Sequence, residues 1–270
     1  GGGVDDDDSK DDPAMTTTMM LKGKEMTYML IATDISRTFP IFSFFQRECP
    51  MHNELLMILQ TYCFFQPHLG YVQGMSYLAG HLLFYLDVYT TFEVFCNLLA
   101  KPFLRAFLSL NGESPEMLER YRLYEMMLKD NLPALSVHLN NEGISPDMYF
   151  LEWSLTLFCK RLELEAVGRV WDMFFVLGEI VIYKTAVAIM SLLKQKLLEA
   201  PFGKVLKLLA TEPQTLEIKQ LFGTLSRVRV SSAVRRKLDV LIKNSQDVAN
   251  GFVIRPDEDH KQVKINGHGA

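Results

Sequence analysis

Tryptophan is almost missing from this 270-residue chain, which has two, and its four cysteines never fall at C-x-x-C spacing. Isolated thiols at Cys49, Cys63, Cys96 and Cys159, with no secretory leader ahead of them, exclude a disulfide framework and read as reduced, mostly buried side chains of an intracellular protein. The histidines (His52, His68, His81, His138, His260 and His268) form no H-E-x-x-H or other paired ligand pattern, so no metal is expected. Excess positive charge is lacking as well. The formal net charge is −4, but the opening "GGGVDDDDSKDDPA" contributes −5 and leaves the rest at +1. Without a general basic surface, nucleic acid is excluded as a partner.

Alternating strand patterns and hairpin dipeptides are absent too, which leaves helix as the regular element. A long run without Asp, Glu, Lys or Arg does occur, from Leu55 to Leu86, and its 32 residues exceed the roughly 20 that a spanning helix needs. Gln60, Thr61, Gln66, Pro67, His68, Gly70 and Gln73 interrupt it, and "QPHLG" would expose unsatisfied backbone in lipid. No transmembrane span is therefore expected, but two buried helices joined by a tight connection.

The expected helices run from His52 to Tyr62, from near Tyr71 to about Tyr85, and from a Thr90–Glu93 capping box through Leu99. Ser114-Pro115-Glu116 and Ser145-Pro146-Asp147 each place a hydroxyl N-cap before a first-turn proline and an acid, predicting two further helices of about 14 residues. Gly178 closes "LELEAVGRVWDMFFVLG", Pro201 closes the next amphipathic stretch, and "SSAVRRKLDVLIKN" supplies the last helix. No repeat period is visible, so the fold class is an all-α layered globule with no substantial β-sheet. Residues 1–18 read as a disordered vector remnant or linker, 19–246 as one domain, and 247–270 as a polar tail.

Two stretches could carry chemistry. In "LIATDISRTFP", Asp34 and Arg37 are three apart, so on a helical turn the carboxylate can aim the guanidinium; taken alone they could equally form a surface ion pair worth well under about 1 kcal/mol. In "GYVQGM", Gln73 would sit three residues into its helix, with Gly74 leaving room for a close approach. Taken alone, Gln73 could simply bond the preceding loop.

Together the stretches resemble the paired signatures of the TBC domain, the GTPase-activating module that acts on Rab GTPases. Ile31, Asp34 and Arg37 meet I-x-x-D-x-x-R, with "TFP" following; Tyr71 and Gln73 meet Y-x-Q, with Gly74 and Met75 following. "SPDMYFLEWSLTLF", bearing Trp153, and "GRVWDMFF", bearing Arg169, Trp171 and Asp172, resemble a third family feature. The three occur in order over roughly residues 25–245.

The resemblance implies a multi-helix TBC-type fold and a dual-finger mechanism. Arg37 would neutralise charge on the transferring γ-phosphoryl and Gln73 would orient the attacking water, while Asp34 holds Arg37, Tyr71 packs the base of the second finger and Gly74 supports it. The partner would be a GTP-bound Rab, which brings GTP and Mg, so the chain needs no cofactor of its own. The implied location is the cytoplasm and endosomal or autophagic membranes reached peripherally through the substrate. A catalytically silent TBC-like binding module remains the other reading. Trp153, Arg169, Trp171 and Asp172 are expected to be structural, with Arg169 and Asp172 paired at i, i+3. One departure stands out: the family's R-x-x-x-W element before the first motif is not found, so the start of the domain is expected to be missing or diverged.

Overall fold

The structure, a computed structural model, describes residues 27–108 and 114–249. All regular structure among them is helical. Helix α1 covers 27–36, followed by α2 (His52–Phe65), α3 (Met75–Leu83), α4 (Val88–Leu99), α5 (Pro102–Leu108), α6 (Pro115–Asn131) and α7 (Pro133–Asn141). Then come α8 (Phe150–Leu155), α9 (Leu164–Leu177), α10 (Ile180–Leu198), α11 (Phe202–Thr211), α12 (Ile218–Arg227) and α13 (Ser232–Ala249). The expected remnant at 1–18 lies outside the described residues; the expected tail is still helical through Ala249, and the rest of it is also outside them.

Two groups of helices share one core. In the first, α2, α3 and α4 pack on one another; in the second, α10 lies among α6, α7, α9, α11 and α12, and α5 links the groups through α4, α6 and α8. Helices α3 and α10 are apolar on more than one side, and such helices belong inside a layered globule. All nine residues of α3 are buried, and α10 buries residues from Val181 to Leu197. Close approach to α3 depends on Gly80. A Cβ there would stand 3.2 Å from the Phe45 ring and 3.3 Å from Thr38 Cγ2, so even a methyl group would make Phe45 and Thr38 give by a few tenths of an ångström.

Local chemistry sets the ends, and several differ from expectation. Ser114 caps α6 by accepting the Met117 N–H, and Gly178 ends α9 at φ 79°, both as anticipated. Helix α4 is capped by Asp87, not Thr90. The Asp87 carboxylate accepts the Tyr89 and Thr90 N–H groups and the Thr90 hydroxyl, and a charged acceptor suits the positive end of the helix. Ser145-Pro146-Asp147 opens only a 3-10 turn, because Tyr149 leaves helical geometry at φ −143° and restarts the chain as the six-residue α8. Helix α3 begins at Met75, not near Tyr71, because Gly74 at φ 102° cannot lie within a helix. Arg169 bonds Glu165, one turn before it at 2.7 Å, and not Asp172, which is exposed.

A buried ion pair and a buried histidine matter for stability. Arg120 on α6, fully buried, meets Glu179 at the start of α10 at 3.2 Å, and Tyr183 donates to the other Glu179 oxygen at 3.3 Å. Burial pushes the Glu179 carboxyl up against the opposing pull of Arg120. His81 on α3 is also buried, its ring 4.5 Å from that of Trp171, with Nδ1 unpartnered.

Burial lowers the His81 pKa to about 4. An unfolded histidine, near about 6.5, takes its proton first, so this contribution is constant above that pH and is lost as pH falls towards 4. The expected loss is about 3 kcal/mol. Urea unfolding at a series of pH values measures it, and His81→Phe is expected to be flatter than the parent between pH 6.5 and 4; parallel curves would refute the assignment.

Candidate functional site

Asp34 is the centre of the site. It lies on the last turns of α1 with Ile31 and Ile35, which are fully buried and hold the helix against the core. Its carboxylate is also buried and accepts four donors. Arg37 Nε (2.8 Å) and Arg37 Nη2 both bond Oδ1, while the Tyr71 hydroxyl (2.6 Å) and the Gly74 N–H (3.2 Å) bond Oδ2. A carboxylate can accept about four hydrogen bonds, so this one is saturated. It joins the end of α1 to the turn before α3.

That turn carries Gln73. Tyr71 is buried, Gln73 is exposed, and Gly74 has the positive φ that lets the chain reverse into α3. Burial, aided by the bond to Asp34, drives the Tyr71 phenol well above its ordinary pKa, so it stays protonated and can donate. The Arg37 side chain is 51% exposed. A guanidinium has five N–H donors and Asp34 takes two, so three remain for another anion.

Arg37, Gln73 and Gly74 line a cleft of about 370 Å³ together with Asp34, Val72 and Tyr77. The opposite wall comes from α8 and its flanks: Asp147, Leu151, Glu152, Leu155, Thr156 and Lys160. Glu152 bonds Lys160 at 2.5 Å and also Arg161. Burial raises the Glu152 carboxyl, but these two cations outweigh it and leave it below its ordinary value. A Cβ on Gly74 would stand 3.2 Å from Thr156 Cγ2, so the two walls come close at this point.

The remaining motif residues stand behind the far wall. Trp153 is buried in α8 with its ring edge-on to Tyr149. Trp171 donates its indole N–H to the Leu157 carbonyl at 3.2 Å, gripping a turn in which Leu157 and Phe158 both have positive φ. Left-handed backbone costs a residue with a Cβ about 1–2 kcal/mol, so packing must hold this turn. Arg169, on the exposed face of α9, lies over the Phe222 ring at 5.7 Å, away from the cleft.

The fold thus brings Asp34, Arg37, Tyr71, Gln73 and Gly74 together and keeps Trp153, Trp171, Arg169 and Asp172 out of the cleft lining. The far wall was not anticipated. Its signal was the four-residue spacing of Leu151 and Leu155, which places both on one helical face.

A profile of the Rab-GTPase-TBC domain matches residues 4–198. TBC1 domain family member 12 of Xenopus tropicalis is 34% identical over 231 residues, covering 86% of this chain and 34% of that protein. TBC1 domain family member 14 of Homo sapiens is also 34% identical over 231 residues, covering 84% of this chain and 33% of that protein. The chain therefore spans about a third of the length of these curated relatives. Among solved structures, the Chlamydomonas flagellar RabGAP TBC domain superposes with a TM-score of 0.60 at 24% identity, covering 79% of this chain and 73% of that one, which is a likeness of fold. No helix among the described residues is long and apolar enough to cross a membrane.

Proposed function

The chain belongs to the Rab-GTPase-TBC domain family, and from that membership we propose that it accelerates GTP hydrolysis by a Rab-type GTPase, supplying Arg37 and Gln73 in trans. One observation carries this reading: a single carboxylate, Asp34, holds both the guanidinium and the turn that bears the amide, on one wall of one cleft. Phosphoryl transfer asks little covalent chemistry of a protein and depends on positioning and on stabilising charge. Arg37 offers a cation with open donors to the oxygens that gain charge in the transition state. Gln73, exposed on the same cleft, has an acceptor and a donor on one amide, which suits it to orient the attacking water. GTP and Mg belong to the partner. Val72, Leu151 and Leu155 give the cleft apolar surface that would exclude bulk water once the partner docks.

Single-turnover hydrolysis by a panel of GTP-loaded Rab-type GTPases, with and without this chain, tests the proposal. At least one member is expected to be accelerated by roughly 10³-fold or more over its intrinsic rate. GTPases that bind in the GTP state without any acceleration would overturn the catalytic reading and leave a silent binding module.

A further inference from the structure

We infer that Tyr77 is a positioning residue for Arg37, and that it fixes the arginine through its main chain from the first turn of α3; the inference rests on the function proposed above. The Tyr77 hydroxyl donates to the Arg37 carbonyl at 2.7 Å. Arg37 directly follows the end of α1, where carbonyl oxygens lack helical partners. A side chain from another helix supplies this one. The donor is itself held firmly: Tyr77 is 9% exposed, and its ring meets the Phe39 ring edge-on at 5.1 Å. Burial, opposed by the nearby Arg37 charge, pushes its phenol up to about 12, so the proton stays in place at working pH.

Tyr77 does not act alone. The Thr38 hydroxyl lies 2.7 Å from both the Asp34 carbonyl and the Ser76 hydroxyl, so the residue after Arg37 is tied to the residue before Tyr77. On the other side, the Gly74 N–H reaches the Asp34 carboxylate. Three residues at the α3 start, Gly74, Ser76 and Tyr77, therefore grip the Asp34–Thr38 turn, and the same segment follows directly from Gln73. Asp34 aims the guanidinium, whereas Tyr77 sets where the arginine's backbone stands. The two finger residues thus share one mount, and Tyr77 is the part of it that touches Arg37 main chain while also lining the cleft.

The test is Tyr77→Phe, which keeps the ring on Phe39 and removes only the hydroxyl. The GTPase that responds most strongly in the panel is used under single-turnover conditions, titrating the protein so that the maximal rate and the half-saturating concentration are read separately. The maximal rate is expected to fall by roughly tenfold, since small misplacements of a catalytic group are costly, while the half-saturating concentration stays within about twofold. Affinity for the same GTPase loaded with GDP and aluminium fluoride, which mimics the transition state, is expected to fall by a similar factor. Affinity for the GTPase loaded with a non-hydrolysable GTP analogue is expected to hold, which also reports that the variant is folded. An unchanged maximal rate, or equal losses of affinity for both loaded forms, would overturn the inference. If the parent protein accelerates no GTPase, the proposed function itself fails; if the parent accelerates and the variant matches it, only the role of Tyr77 fails.

Discussion

Arg37→Ala is expected to lower stimulated GTP hydrolysis by roughly 10³–10⁵-fold, the usual worth of an arginine supplied in trans, while the variant still binds its GTPase. The expectation follows from what the side chain does in the free protein. Its two bonds to Asp34 orient a half-exposed guanidinium that makes no other hydrogen bond or ion pair among the described residues. Removing it takes two of the four donors from the buried Asp34 carboxylate, which keeps the Tyr71 hydroxyl and the Gly74 N–H, so some stability is lost and retained binding reports that the variant is folded. Arg37→Lys is expected to fare almost as badly, because one ammonium cannot both bond Asp34 along a planar fork and present further donors to a phosphate. Gln73→Ala removes a smaller, uncharged contribution and is expected to lose less. Maximal single-turnover rates, with binding measured in parallel, decide the matter. Activity of Arg37→Ala within tenfold of the parent would show that the cation does not reach the reacting phosphate.

Glu179→Ala is expected to destabilise the fold by about 3–5 kcal/mol, the cost of leaving a buried charge without its partner. Arg120 is wholly enclosed, so its guanidinium has no access to water. The Tyr183 hydroxyl would lose its acceptor at the same time. In a domain of this size the loss corresponds to a fall of about 6–20 °C in Tm. Glu179→Gln, which keeps an acceptor but not the charge, is expected to fall between the parent and the alanine variant. Paired replacement of Arg120 and Glu179 by methionine and leucine should recover much of the loss, because it removes the buried charges instead of stranding one. Denaturant unfolding measures all four proteins; a Glu179→Ala variant within 1 kcal/mol of the parent would mean that water reaches Arg120.

Much of this architecture is legible in the chain because single residues announce it. Ser114 before Pro115 marks a helix start, Gly178 marks an end, and the absence of alternating patterns removes sheets. Other boundaries turn on choices that a linear reading cannot make. Asp87 and Thr90 are both good caps three residues apart, and only the fold shows that the carboxylate takes the N–H groups while the hydroxyl bonds the carboxylate. Arg169 had acids at both three and four residues' distance and took Glu165. The short helices α11 and α12, parted by a 3-10 turn at Pro213, went unread between stronger signals.

The site divides the same way. Spacing alone suggests that Asp34 can hold Arg37. That Asp34 also holds the Gly74 N–H, 40 residues away, rests on a backbone donor, and every residue but proline has one. Tyr77 escaped notice for a related reason: it meets a carbonyl, not a side chain, so no pattern of residue types points to it.

The closeness of Gly74 to Thr156 has a further consequence. A methyl group on Gly74 would stand 3.2 Å from Thr156 Cγ2, so the threonine would have to give by a few tenths of an ångström. The same methyl would sit on a backbone at φ 102°, which residues with a Cβ disfavour. Both penalties fall on the residue that follows the amide, so a single added carbon there would disturb the spot where the arginine, the amide and α8 meet.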